Sequence, residues 1–303
     1  MGRRATTKKG RVTAKRPPDA AQRDFGFEQR SAPNRISVTV PDRPIWTENK
    51  AKLIERYLYY FVLVTKHGTY IDGFAGPQYP RKLDAWAARL VLESEPRWLR
   101  HFHLCEINQR KFVALGKLRD QQPSPQKGEP KRSIKLYNRD FNRAVADILP
   151  SISEREATFC LIDQHTFECQ WTTVEQLARH KRGQKIELFY FLAAWWFGRA
   201  FRSIRDRAQL RRWWGRDDFE KIGNLSSWER AELVCERMRN ELRYRHAVPW
   251  AIYSKAQGGH IAYHMIHASD HDDAPGLMSR AYRKAVDRKE PPEQFMLEFG
   301  GSR

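Results

Sequence analysis

The sequence has no apolar run long enough to cross a membrane. Its longest, residues 189–197, has nine residues, where a membrane helix needs about 20, so this run predicts a buried strand or strand–loop junction. Cysteine is scarce. Cys105, Cys160, Cys169 and Cys235 are the four present; none has a C-x-x-C partner or completes a zinc-like cluster. Cys105 and Cys160 lie in apolar runs and read as small core residues. No apolar stretch follows the basic N-terminus, so no secretory leader is expected. Reduced thiols and the lack of a leader predict a cytoplasmic protein. Acid is also short: 36 Asp and Glu stand against 55 Lys and Arg, a formal charge of +19. Such a surplus predicts a polyanionic partner, most simply RNA or DNA, or else a solubilising surface neutralised by counter-ions.

Aromatic residues are plentiful, with 10 Trp, 11 Tyr and 16 Phe, enough for a large core. Residues 1–35 hold ten Lys and Arg against Asp19, Asp24 and Glu28 and few large apolar residues. They predict a disordered basic tail, either a phosphate tether or a solvated extension. Residues 36–303 then read as one domain. Thr47 and Glu48 suit a helix start, and Leu53, Ile54, Tyr57, Leu58, Phe61 and Val62 give it one buried face. Strand-like runs follow at 69–72, 102–106, 134–137, 158–163 and 186–192, with helical patterns between them at 85–92, 109–119, 143–149 and 173–178. This alternation predicts a parallel sheet with right-handed crossovers. A basic helical insertion near 199–245 precedes two strands, 247–254 and 261–268, joined closely enough to be antiparallel. The expected fold is α/β and Rossmann-like: a mostly parallel seven-stranded sheet with a terminal antiparallel hairpin.

The sharpest local signal is Asp72-Gly73-Phe74-Ala75-Gly76-Pro77. A strand ending in an acid and breaking into glycines lets a ligand approach the backbone and leaves N–H groups open. Glu106 ends the second strand, where a carboxylate can accept both hydroxyls of a ribose. Asp140 and Asn142 follow the third strand and could contact an adenine. Asp163 ends the fourth, where an acceptor would lie. Each has a plainer reading as a turn former or helix cap; Asn108 after Glu106 is one such cap.

The D-x-F-x-G spacing resembles the element with which class I S-adenosylmethionine methyltransferases hold the methionine end of their cofactor. Over residues 46–286 the chain resembles the three-Cys-motif partner (TcmP) family, which has a methyltransferase-like fold. The likeness is carried by W-T-E-x-K (Trp46, Thr47, Glu48, Lys50), Y-I-D-G-F-A-G-P (Tyr70 to Pro77), E-I-N (Glu106 to Asn108), D-x-N (Asp140, Asn142), the apolar strand reaching Asp163, and A-S-D-H (Ala268 to His271) with Met278 and Tyr282. It implies S-adenosylmethionine as cofactor, with Asp72, Gly73, Phe74 and Gly76 at the methionine end, Glu106 at the ribose and Asp140 at the adenine. Asp163 would hold an acceptor amine, with His165 as a base. It also implies a protein partner bearing the three cysteines. Two departures stand out. Gln78 replaces a glycine. The segment after the fourth strand is Asp163-Gln164-His165-Thr166, where the family has D-P-F-G and amino-methyltransferases have D-P-P-[YF]. The stacking aromatic of that motif is missing, although Phe167 is close. The implied function is a methyltransferase-like protein acting on or associated with nucleic acid; the alternative is a degenerate module of the same fold that binds RNA or DNA or serves as a structural subunit.

Between Arg199 and Arg216 stand seven arginines, Trp213 and Trp214, and one acid, Asp206. Arginine fits phosphate in a planar fork and exposed Trp stacks on unpaired bases, so Arg211, Arg212, Trp213 and Trp214 are the expected nucleic-acid contacts, unless the tryptophans are core. Trp195 and Trp196, after the apolar strand, are expected in the core. His260 and His264 share a strand face while His267 points away, which does not make a metal set.

Overall fold

The computed structural model describes residues 49–79, 82–255 and 258–286. The basic tail and the Thr47 helix start lie outside the described residues. Seven strands form one sheet in the order β3-β2-β1-β4-β5-β7-β6. They are β1 (Gly68–Asp72), β2 (Leu99–Cys105), β3 (Ser133–Tyr137), β4 (Thr158–Ile162), β5 (Glu187–Ala193), β6 (His246–Lys255) and β7 (Gly258–Ser269). β1 to β5 pair in parallel, whereas β7 is antiparallel to both β5 and β6. This is the layout expected of a class I methyltransferase sheet.

The central strands are buried on both faces, as parallel strands covered by helices must be. Alternate residues serve the two layers. Tyr70, Phe159, Leu161, Phe189 and Phe191 face one apolar cluster, while Ile71, Cys160, Ile162, Leu188 and Tyr190 face the other. The first cluster is closed by α1 (Lys50–Thr65), α2 (Ala87–Glu93), α3 (Gln109–Asp120) and α9 (Ala274–Val286). The second is closed by α4 (Phe141–Ile148), α5 (Trp171–Arg179), α6 (Phe197–Ser203), α7 (Arg207–Trp214) and α8 (Ser227–Asn240). Local sequence sets the ends. Asp206 caps α7 through the Ala208 N–H, and Gly215 ends it at φ 75°. Ser226 and Glu229 form a reciprocal capping box on α8. Among the described residues no helix is long and apolar enough to cross a membrane.

Candidate functional site

Three adjacent strands end in acids. Glu106 follows β2, Asp72 closes β1, and Asp163 lies one residue past β4. The chain turns from one side of the sheet to the other between β1 and β4, so these acids line the crevice outside the carboxyl ends where such sheets hold ligands.

The loop after β1 is engaged at every amide from Gly73 to Gly76. Gly73 N–H donates to the Leu161 carbonyl (3.0 Å), Ala75 N–H to the Cys105 carbonyl (2.8 Å), Phe74 N–H to Asp72 Oδ1 (3.0 Å) and Gly76 N–H to Glu106 Oε2 (3.1 Å). The open amides expected from sequence are therefore corrected: the carbonyls of β2 and β4 and two carboxylates already take them. Trp86 Nε1 also donates to the Ala75 carbonyl, at 2.6 Å. The glycines serve close packing. A Cβ on Gly76 would stand 2.1 Å from Glu106 Oε2 and 2.7 Å from Lys111 Cβ, and one on Gly73 would stand 2.7 Å from the Phe141 ring. Phe74 packs against that same ring.

The carboxylates are each held differently. Asp72 is buried and accepts from Tyr70 Oη as well as Phe74 N–H, both at 3.0 Å. Burial, reinforced by the charges of Asp163 and Glu106, pushes its carboxyl up to about 7 against those hydrogen bonds. Glu106 is also buried, and its Oε1 accepts the Asn108 N–H at 2.7 Å while Asn108 caps α3. Asp163 accepts from Lys50 Nζ at 2.7 Å and from Gln78 Nε2 at 2.8 Å. The buried Lys50 ammonium also lies 4.8 Å from the Phe191 ring centre and 4.9 Å from that of Tyr263. Gln78, which stands where a glycine was expected, thus reaches across to Asp163. Sequence reasoning gave Lys50 no role. Its signal was a cation three residues before Leu53 and four before Ile54, on the apolar stripe of α1.

The remaining expected site residues are dispersed. Asp140 caps α4, accepting from the Asn142 N–H and side chain at 2.7 and 2.8 Å. Asn142 in turn accepts from Gln170 N–H and Thr173 Oγ1, both at 2.8 Å. Gln164 is fully buried, accepting the Cys169 N–H at 3.0 Å. His165 is exposed and stacks on Trp196 with centres 5.3 Å apart. Phe167 is 1% exposed and packed on Phe197 and Trp213, so it offers no face to a base.

The aromatic expectation is reversed. Trp213 and Trp214 are 2% and 1% exposed. Their indole N–H groups donate to Tyr190 Oη and Asp218, at 2.9 and 2.7 Å. α7 turns its apolar edge inward, so they are core residues and cannot stack on bases. Arg211 and Arg212 on its outer face are exposed and paired with Asp217 and Asp206. Trp195, expected in the core, is 56% exposed, because the chain leaves the sheet after Ala193 and turns there before α6 begins.

The carboxylates offer suitable chemistry for a cofactor that carries an ammonium and a sulfonium. Room is what is missing. The cavity bounded by Lys50, Asp72, Phe74, Gly76, Gln78, Trp86 and Asp163 is about 10 Å³, space for about one water, where ligand sites run to roughly 300–1,000 Å³. Lys50 and Gln78 both reach Asp163 and occupy the space beside Asp72 where a cofactor's methionine end would lie.

No protein-family model and no curated protein matches the sequence. The chain is similar at low identity to several solved structures. Protein LPL1258 from Legionella pneumophila shares 10% identity over 78% of this chain and 90% of its own, with a TM-score of 0.42. Human methyltransferase-like protein 13, solved in complex with SAH, shares 9% over 83% of this chain and 97% of its own, at 0.40. The CurJ carbon methyltransferase shares 12% over 71% of this chain and 54% of its own, also at 0.40.

Proposed function

We propose that this protein binds S-adenosylmethionine at the β1–β4 crevice, acts on or alongside nucleic acid, and keeps that crevice latched with its own Lys50 when no ligand is bound. The observation carrying this reading is the Lys50 ammonium held by Asp163 against two aromatic rings, in a pocket also lined by Asp72. A crevice with three acids and one buried lysine favours a cationic occupant. Lys50 fills that role now, and Asp163 is already holding an amine. The resemblance to the three-Cys-motif partner family, carried above all by Asp72 to Pro77, supports the methyltransferase reading. The charge of +19 supports a nucleic-acid partner. When bound, the cofactor would supply an activated methyl group. This chain's part would be to hold the cofactor's cationic end at Asp72, its ribose at Glu106 and an acceptor amine at Asp163.

A second reading is a permanently closed module of the same fold, favoured by the 10 Å³ cavity and by the engagement of every amide from Gly73 to Gly76. Titration calorimetry separates the two. The latched-site reading expects S-adenosylmethionine to bind and Glu106→Ala to lose it. Absence of binding to the wild type and to a Lys50 variant leaves the closed module.

A further inference from the structure

The arginines of the basic segment fall into two sets. Arg207, Arg211, Arg212 and Arg216 pair with Glu220, Asp217, Asp206 and Glu241. Among the described residues no carboxylate lies within ion-pair distance of Arg199, Arg202 or Arg205, and all three are exposed. The uncompensated charge therefore sits at α6 and just beyond it, away from the α7 arginines that sequence singled out.

The same end carries the exposed tryptophan. The Trp195 ring lies 4.3 Å from that of His260, tilted by 30°, and the Arg199 guanidinium is 4.7 Å from the Trp195 ring centre. Arg199 and Arg202 are three apart on α6 and so neighbours on its surface, and the Arg199 contact sets that surface beside Trp195. This row of flat groups remains in water: Trp195 is 56% exposed and His260 is exposed as well. It also connects to the crevice. The neighbouring Trp196 stacks on His165 and meets the Tyr263 ring edge-on at 4.6 Å. Tyr263 is one of the two rings around Lys50.

We propose that Trp195, His260, Arg199 and Arg202 form a docking surface for single-stranded nucleic acid at the mouth of the crevice. Unpaired bases stack on Trp195 and His260, and Arg199 and Arg202 take phosphates. A duplex keeps its bases stacked on one another and cannot offer them to an indole, whereas a single strand can. The inference rests on the proposed nucleic-acid partner and fixes the strand state and the residues.

The test is fluorescence anisotropy with end-labelled 20-mers of uridine and thymidine and a labelled 20-bp duplex, at two salt concentrations. The expected results are tighter binding of the single strands than of the duplex and a roughly tenfold weakening for Trp195→Ala on single strands, the order of one stacked base. Arg199→Ala with Arg202→Ala should flatten the salt dependence by about 0.7 for each phosphate no longer held. The two single strands distinguish RNA from DNA. Binding that is unchanged in Trp195→Ala, or tighter for the duplex, overturns this surface while the nucleic-acid reading survives. If the wild type binds none of the three probes, both fall.

Discussion

Gly76→Ala tests whether the loop after β1 is held by its own protein. Gly76 is not among the positive-φ glycines, so the requirement is one of space. The new Cβ would meet Glu106 Oε2 at 2.1 Å and Lys111 Cβ at 2.7 Å. A flexible chain end could swing away, but Lys111 Cβ is fixed on α3 and Glu106 is anchored by the Asn108 N–H. Overpacking of this kind costs about 1–3 kcal/mol. Losing the Gly76 N–H to a buried carboxylate adds about 1.5–3 kcal/mol. Urea denaturation should therefore show a loss of roughly 2.5–6 kcal/mol. Gly116→Ala is the control: its Cβ would meet nothing within 4 Å, and inside α3 it should gain about 1 kcal/mol. If Gly76→Ala costs less than about 0.5 kcal/mol, the size of an ordinary surface change, the loop is not packed against Glu106 and α3.

Two further outcomes follow from burial. Folded Asp72 keeps its proton up to about 7, whereas the unfolded chain releases it near about 3.9. The folded state binds that proton more tightly, so this residue's contribution declines as pH rises from about 4 to about 7, by at most about 4 kcal/mol. Urea melts at pH 5 and 8 should show wild type losing more stability than Asp72→Asn over that interval; equal losses would contradict the burial argument. Trp213→Ala should cost about 3–5 kcal/mol in the same assay, and a cost below about 1 kcal/mol would return Trp213 to the surface.

Much of the architecture was legible in the sequence, because apolar runs, caps and helix-period stripes are local signals. All seven expected strands are present, with ends shifted by one to three residues; β2 starts at Leu99 rather than Phe102. The three acids at the strand ends were legible for the same reason, since each follows an apolar run. What each acid touches was not. Lys50 and Asp163 are 113 residues apart and Gln78 and Asp163 are 85 apart, so only the folded sheet brings them together. The tryptophans failed for a related reason. Trp195 and Trp213 both sit in basic, aromatic sequence, and burial depends on which edge of a short helix faces the sheet.

If Lys50 is a stand-in for a ligand's positive charge, its removal should open the crevice to that ligand. Calorimetric titration of S-adenosylmethionine into wild type and Lys50→Ala addresses this most directly. Removing the internal ammonium frees Asp163 and clears space beside Asp72, so the variant should bind at least about tenfold more tightly, a difference of about 1.4 kcal/mol. Equal or weaker binding by a folded Lys50→Ala protein would contradict the latch.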